Sequence, residues 1–250
     1  MTDKIFLLLS AMLPTLALLS FFIYSDKFVE PKKNVLSTFI LGIFIIAPLQ
    51  VFYYATIMIL GEPINYNPFF KAFFKAAFLE ELFKFCVLYF FCTKFTAFNE
   101  PMDGIVYGIA ASLGFAFWEN LEYIYIYGDF VMEDALNTVW ARAFTAVPSH
   151  AFDGVIMGFF IGKHYFRKNK SNINLILALL VPVILHGFYD WVLMEESINS
   201  NFMYLSMAIE FGLVIYLYRS LKTDQLQKKN RIRKKNYINE KSLVGKYHTT

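Results

Sequence analysis

Long apolar blocks alternate with short polar interruptions along the whole chain. The blocks cover residues 5–24, 35–60, 69–93, 104–127, 149–166, 173–194 and 202–219. Most are near the roughly 20 residues that an α-helix needs to cross about 30 Å of hydrocarbon. Helices of a soluble bundle would each carry a polar stripe, and these blocks mostly lack one. The pattern predicts an all-α fold, a polytopic transmembrane helical bundle of seven spans. A further apolar stretch, ALNTVWARAFTAVP at 135–148, is too short to cross and ends at Pro148. It reads as a re-entrant or interfacial helix that neighbouring protein must cover. The first block is too long for the apolar core of a signal peptide and has no small-x-small site after it, so it reads as an uncleaved first helix.

The interruptions carry charge unevenly. SDKFVEPKKN, GKHYFRKNKSN and the tail KKNRIRKKN are basic, whereas GEPINYNP, GDFVMEDA and MEESINSN are neutral or acidic. Under the positive-inside rule this alternation puts the N-terminus outside and the C-terminus in the cytoplasm. Lys71 and Lys75 fall on the outer side against the trend, where long side chains can snorkel to headgroups. The chain divides into N-terminal helices (1–68), a core (69–195), a last span (196–220) and a basic tail (221–250). That tail reads as a stop-transfer segment near anionic lipid, not as a nucleic-acid-binding arm.

Composition strengthens the membrane reading without changing it. Apolar residues make up 57% and charged residues 17% of the chain, against about 25% charged in soluble domains. The two cysteines, Cys86 and Cys92, fit neither a zinc knuckle nor a disulfide framework and read as packing residues. Small residues recur every fourth position at Gly154, Gly158 and Gly162 and at Gly104, Gly108 and Ser112. They predict close helix–helix packing.

Against that background the ionisable residues inside the blocks stand out, because such groups face a bundle interior or a wet cavity and mark function. At 1.5 Å per residue, Glu80, Glu119, His150 and His186 all lie about 20–25 Å from the cytoplasmic ends of their spans. Four spans therefore offer carboxylates and imidazoles at one level in the outer half of the bilayer. Lys84 lies within one helical turn of both Glu80 and Glu81 and can pair with either. Asp190, four residues after His186, can orient that imidazole. Asn120 is a candidate donor to a developing oxyanion. Asp153, Glu122 and Glu210 lie off the common level and read as structural, and Arg142 reads as an interface anchor.

Three of these groupings resemble a known family. EELFK (Glu80, Glu81, Lys84) matches the EExxK motif of the PrsW family of bacterial intramembrane proteases. FAFWEN supplies FxxxE, from Phe115 to Glu119, and HGFYD supplies HxxxD, from His186 to Asp190. SHAFDGVIMGFFIG is similar to the family's histidine-bearing helix and gives His150. The resemblance covers residues 70–195. It implies a protease of the bacterial cytoplasmic membrane that cuts a single-pass membrane protein near its outer face, of the site-1 type that acts on anti-sigma factors. The related CAAX prenyl endopeptidases carry EExxxR, FxxxH and a late Asn where this chain has Lys84, Glu119 and Asp190, which argues against a prenylated substrate.

Two mechanisms stay open at this level. His150, His186 and Glu119 can bind Zn²⁺ with an open fourth position, or a glutamate can act as base with a histidine on the oxyanion and no metal. A proton- or cation-coupled transporter would also bury such groups at one depth, although the sequence shows no inverted repeat. A catalytically silent scaffold is the remaining alternative.

Overall fold

A computed structural model describes residues 2–61, 67–125, 132–167 and 171–247, with side chains at 5–59, 67–124, 133–167 and 171–230. Parts of the expected outer loops (62–66 and 126–131) and of a basic loop (168–170) lie outside the described residues. All regular structure among the described residues is helical. The helices are α1 (Thr2–Ser25), α2 (Lys32–Phe44), α3 (Ile46–Leu60), α4 (Pro68–Phe70), α5 (Leu79–Phe90), α6 (Pro101–Tyr125), α7 (Met132–Phe144), α8 (Ala146–Phe166), α9 (Ile173–Met194) and α10 (Asn201–Tyr247).

Among the described residues, five stretches are apolar and long enough to cross a membrane by length and composition alone. The α5 and α6 regions fall outside that set, and they carry Glu80, Glu81, Lys84 and Glu119. Large apolar side chains face outward from most of the others: Leu13, Val51, Met58, Ile184 and Tyr216 are all more than half exposed. Water would not tolerate so wide an apolar surface on a monomer, and lipid covers it. The protein is a multi-pass membrane protein.

The spans differ from the expected set in four places. Residues 35–60 are divided into α2 and α3 at Ile45. Pro48 has no N–H for the Phe44 carbonyl and crowds it, which breaks the ladder there. The block at 69–93 begins as a π-helix over Lys71–Phe78 before tightening into α5. π-turns commonly occur at functional sites, and this one ends two residues before Glu80. The short apolar stretch does not end at Pro148. It forms α7, stops at Thr145, and Pro148 sits in the first turn of α8, where its missing N–H costs little. The last span and the tail form one helix, α10. Leu221 and Gln225 are buried, so the first turns of the tail pack on the bundle.

Helix α6 is the axis of the bundle, with every residue from Met102 to Ala116 buried. It meets α8 along the expected glycine stripe. A methyl group added at Gly154 would lie 2.7 Å from the Gly108 carbonyl oxygen, and one at Gly158 would run into the Gly104 carbonyl. Backbone contact this close is what small residues permit in lipid, where no hydrophobic force holds helices together. The glycine stripe thus fixes the distance between α6, which carries Glu119, and α8, which carries His150.

Candidate active site

The functional side chains converge from five helices. On α5, Glu80, Glu81 and Lys84 share one face and are all buried. Lys84 Nζ donates to Glu81 Oε1 at 2.7 Å, lies 3.8 Å from Glu80 Oε2, and sits 4.5 Å from the centre of the Phe115 ring. It also contacts His150 Nδ1 at 3.1 Å. An ammonium can only donate, so Nδ1 of His150 accepts and its proton resides on Nε2. That Nε2–H points at Glu119 Oε2, 2.8 Å away. The same carboxylate oxygen receives Arg142 Nη2 from α7 at 2.7 Å.

His186 completes the centre from α9. Its Nδ1 lies 2.9 Å from Glu81 Oε1 and 3.8 Å from Asp153 Oδ2, while Nε2 lies 3.4 Å from Asp190 Oδ2 and 3.9 Å from Glu80 Oε2. The expected orienting partner was Asp190, one turn away. Glu81 makes the shorter contact, so the carboxylate from α5 is the better placed to fix this imidazole. The two imidazole rings stand 5.2 Å apart and nearly perpendicular.

Two cavities reach the centre. One of about 460 Å³ is lined by Tyr53, Lys71, Lys75, Glu80, Glu119 and Asp190. The other, of about 420 Å³, is lined by Arg142, Ser149, His150, His186, Tyr189 and, again, Glu119 and Asp190. Lys71 and Lys75, which break the charge pattern of the loops, thus stand at a cavity wall, and Lys75 Nζ lies 5.0 Å from the centre of the Tyr53 ring.

All seven expected residues (Glu80, Glu81, Lys84, Glu119, His150, His186 and Asp190) belong to this one network. Three readings of individual residues change. Asn120 is built into the support of Glu119: its Oδ1 accepts from Arg142 Nε at 2.7 Å and one amide hydrogen goes to the Ala11 carbonyl. Arg142 is no interface anchor but a largely buried partner of Glu119. Asp153, set aside on depth, faces His186; its position three residues after His150 was the available signal.

The donor set for a metal also changes. Glu81, His150, Asp153 and His186 each offer a ligand atom within 4.8 Å of the others, and Glu119 is not among them. Glu119 is turned toward Arg142 and the Nε2 side of His150. Two imidazoles and two carboxylates suit Zn²⁺. Both Asp153 oxygens and Glu81 Oε2 are buried without a hydrogen-bond partner, which leaves acceptor capacity for a cation. Lys84 already engages Glu81 Oε1 and the one lone pair of His150 Nδ1, so a metal ion bound to His150 would displace that ammonium. The residues fit a metal on the Asp153 side of the cluster.

Residues 30–217 match the model of the PrsW family, described as intramembrane metalloproteases. The chain belongs to this family. It is 40% identical to the protease PrsW of Geobacillus kaustophilus over 78% of this chain and 82% of that one. It is 36% identical to the protease PrsW of Halalkalibacterium halodurans, covering 84% and 92%, and 37% identical to that of Bacillus subtilis, covering 76% and 83%. No solved structure matches the chain. The protein is therefore an enzyme, a peptide hydrolase of the membrane, and the transporter and scaffold alternatives fall away.

Proposed function

We propose that this enzyme cuts a single-pass membrane protein near the outer face of the bacterial cytoplasmic membrane, as the first cut on an anti-sigma-factor-like substrate. Charge asymmetry of the loops supports an N-terminus outside and a C-terminus in the cytoplasm. The depth of Glu80, Glu119, His150 and His186 supports a site in the outer half.

The observation that carries the chemistry is the contrast between neighbouring glutamates. Glu81 is fully buried and clamped by Lys84 and His186, so it positions others. Glu80 lines a cavity of about 460 Å³ with room for the attacking water, and its carboxylate lies 3.9 Å from His186 Nε2. Glu80 is the general base. It takes a proton from that water, whose oxygen attacks the scissile carbonyl carbon. The same carboxyl then returns the proton to the leaving amine nitrogen as the C–N bond breaks. His186, oriented by Glu81, holds the water; His150, held between Lys84 and Glu119, faces the second cavity beside the carbonyl.

Glu81, His150, Asp153 and His186 would hold Zn²⁺. When bound, the metal would acidify water and polarise the carbonyl.

The test is reconstitution with a tagged single-pass substrate, comparing wild type with Glu80→Gln, Glu81→Ala and His186→Ala. Cleavage by wild type alone, with a new terminus mapping to the outer half of the substrate's span, is the expected result. Identical fragments from all four proteins would refute the assignment.

A further inference from the structure

We propose that Asp26, Glu30 and Asp103 bind a hard divalent cation at the opposite end of α6 from the active site, with Gln225 supplying a fourth oxygen. The three carboxylates come from the α1–α2 connection and from the first turn of α6. Each offers an oxygen within 4.8 Å of the others, the spread expected of ligands that sit about 2.0–2.6 Å from one ion.

The hydrogen bonding leaves a specific set of oxygens free. Asp103 Oδ2 accepts from the backbone N–H groups of Asn99 and Glu100 at 2.6 and 2.7 Å, closing the start of α6. Asp26 Oδ1 accepts from Phe28 N at 3.1 Å and from Gln225 Nε2 at 2.7 Å. Glu30 Oε2 accepts from the Tyr107 hydroxyl. One oxygen of each carboxylate is thereby tied to protein. Asp103 Oδ1, Asp26 Oδ2 and Gln225 Oε1 receive no N–H or hydroxyl donor, although their residues are 0%, 6% and 4% exposed, and the Asp103 carboxyl lies against that of Glu30. Buried carboxylate oxygens without donors call for a cation or protons.

Protein cations do not supply that charge. Among the described residues, no ion pair reaches Asp26, Glu30 or Asp103. The nearby ammonium groups of α10 are committed elsewhere: Lys228 to Glu100 at 2.8 Å, and Lys222 to the Ser25 carbonyl at 2.9 Å. A cavity of about 160 Å³ is lined by Asn99 and Glu100, whose N–H groups hold Asp103, and by Gln225, which holds Asp26. The available donors are oxygens alone, which suits Mg²⁺, Mn²⁺ or Ca²⁺ and not Zn²⁺. Such an ion would clamp the α1–α2 connection and α6 to the helix that carries the basic tail.

The test is thermal unfolding of the full chain in detergent, titrated separately with MgCl₂, MnCl₂ and CaCl₂, with Mn²⁺ binding read directly by electron paramagnetic resonance. At 100 times the dissociation constant the midpoint should rise by about 5–10 °C. The shift should vanish in Asp103→Asn and Glu30→Gln, and should persist in His186→Ala. Failure of all three ions to move the wild-type midpoint or to bind would overturn the proposal. So would a shift that survives in both carboxylate variants. Stabilisation by acid alone, with no response to cations, would mean that the carboxyls share protons, and would overturn it equally.

Discussion

Two clusters of buried carboxylates sit about 24 Å apart on α6, counted from Asp103 to Glu119, and they are neutralised in opposite ways. In the upper cluster Lys84 and Arg142 each pair with a glutamate at 2.7 Å, and two imidazoles fill the space between. In the lower cluster Asp26, Glu30 and Asp103 rely on backbone N–H groups, a tyrosine and a glutamine. Internal cations let the upper site keep some carboxylates ionised while others remain free to exchange protons, which hydrolysis requires. The lower site has donors enough to hold its shape but not its charge. A set of buried acids becomes reactive when fixed cations divide it into clamped and unclamped members; without them it becomes a place for an outside ion.

The largest effect should come from removing the upper cluster's own cation. Lys84→Met leaves buried Glu81 with His186 as its remaining partner, and breaking a buried ion pair costs about 3–5 kcal/mol. Thermal or denaturant unfolding should show it, and a shift under about 1 kcal/mol would mean that Lys84 does not hold the centre together. Glu80→Gln separates clamped from unclamped glutamates. Cleavage should fall by about 10²–10⁴-fold, the usual contribution of a general base, with the unfolding midpoint little changed. If instead Glu81→Gln abolishes cleavage without unfolding the protein while Glu80→Gln unfolds it, the two roles are reversed.

The metal-binding reading divides the upper cluster again. Zinc content of purified protein should drop in Asp153→Asn, with affinity lowered at least about 10-fold, and should survive in Glu119→Gln. Chelation followed by zinc add-back should remove and restore cleavage. Arg142→Ala should lower cleavage by about 10–100-fold through misorientation of Glu119, with Arg142→Lys recovering part of it. In the lower cluster the smallest effect belongs to Lys228→Ala. Lys228 is 48% exposed, and loss of its pair with Glu100 should cost about 0–1 kcal/mol.

How far the site could be read ahead depended on how far apart its members lie in the chain. Glu80, Glu81 and Lys84 sit within one turn, so their pairing follows from helical spacing alone. His186 and Asp190 are also one turn apart, yet the closer partner of His186 is Glu81, 105 residues away. Arg142 meets Glu119 across 23 residues and a turn, and an arginine beside a short apolar stretch looks like an anchor until that turn is folded. Asp153 was discounted because its depth differs from that of His150, whereas long side chains from neighbouring helices converge over a turn or more. The lower cluster was illegible because acids near helix ends look solvated; only the fold sets Asp26 against Gln225 of α10 and Glu30 against Tyr107 of α6.

The sequence alone determined that the chain lives in a membrane, that it is helical, and which charged groups accompany one another on a helix. Hydropathy and helical periodicity are local, and the cost of charge in lipid makes each exception visible. Which carboxylate is clamped, which faces a cavity, and which acids are left without a counter-charge were decided only by tertiary packing. Those properties depend on distances between helices, and here the glycine contact between α6 and α8 and the lie of α10 across the bundle set them.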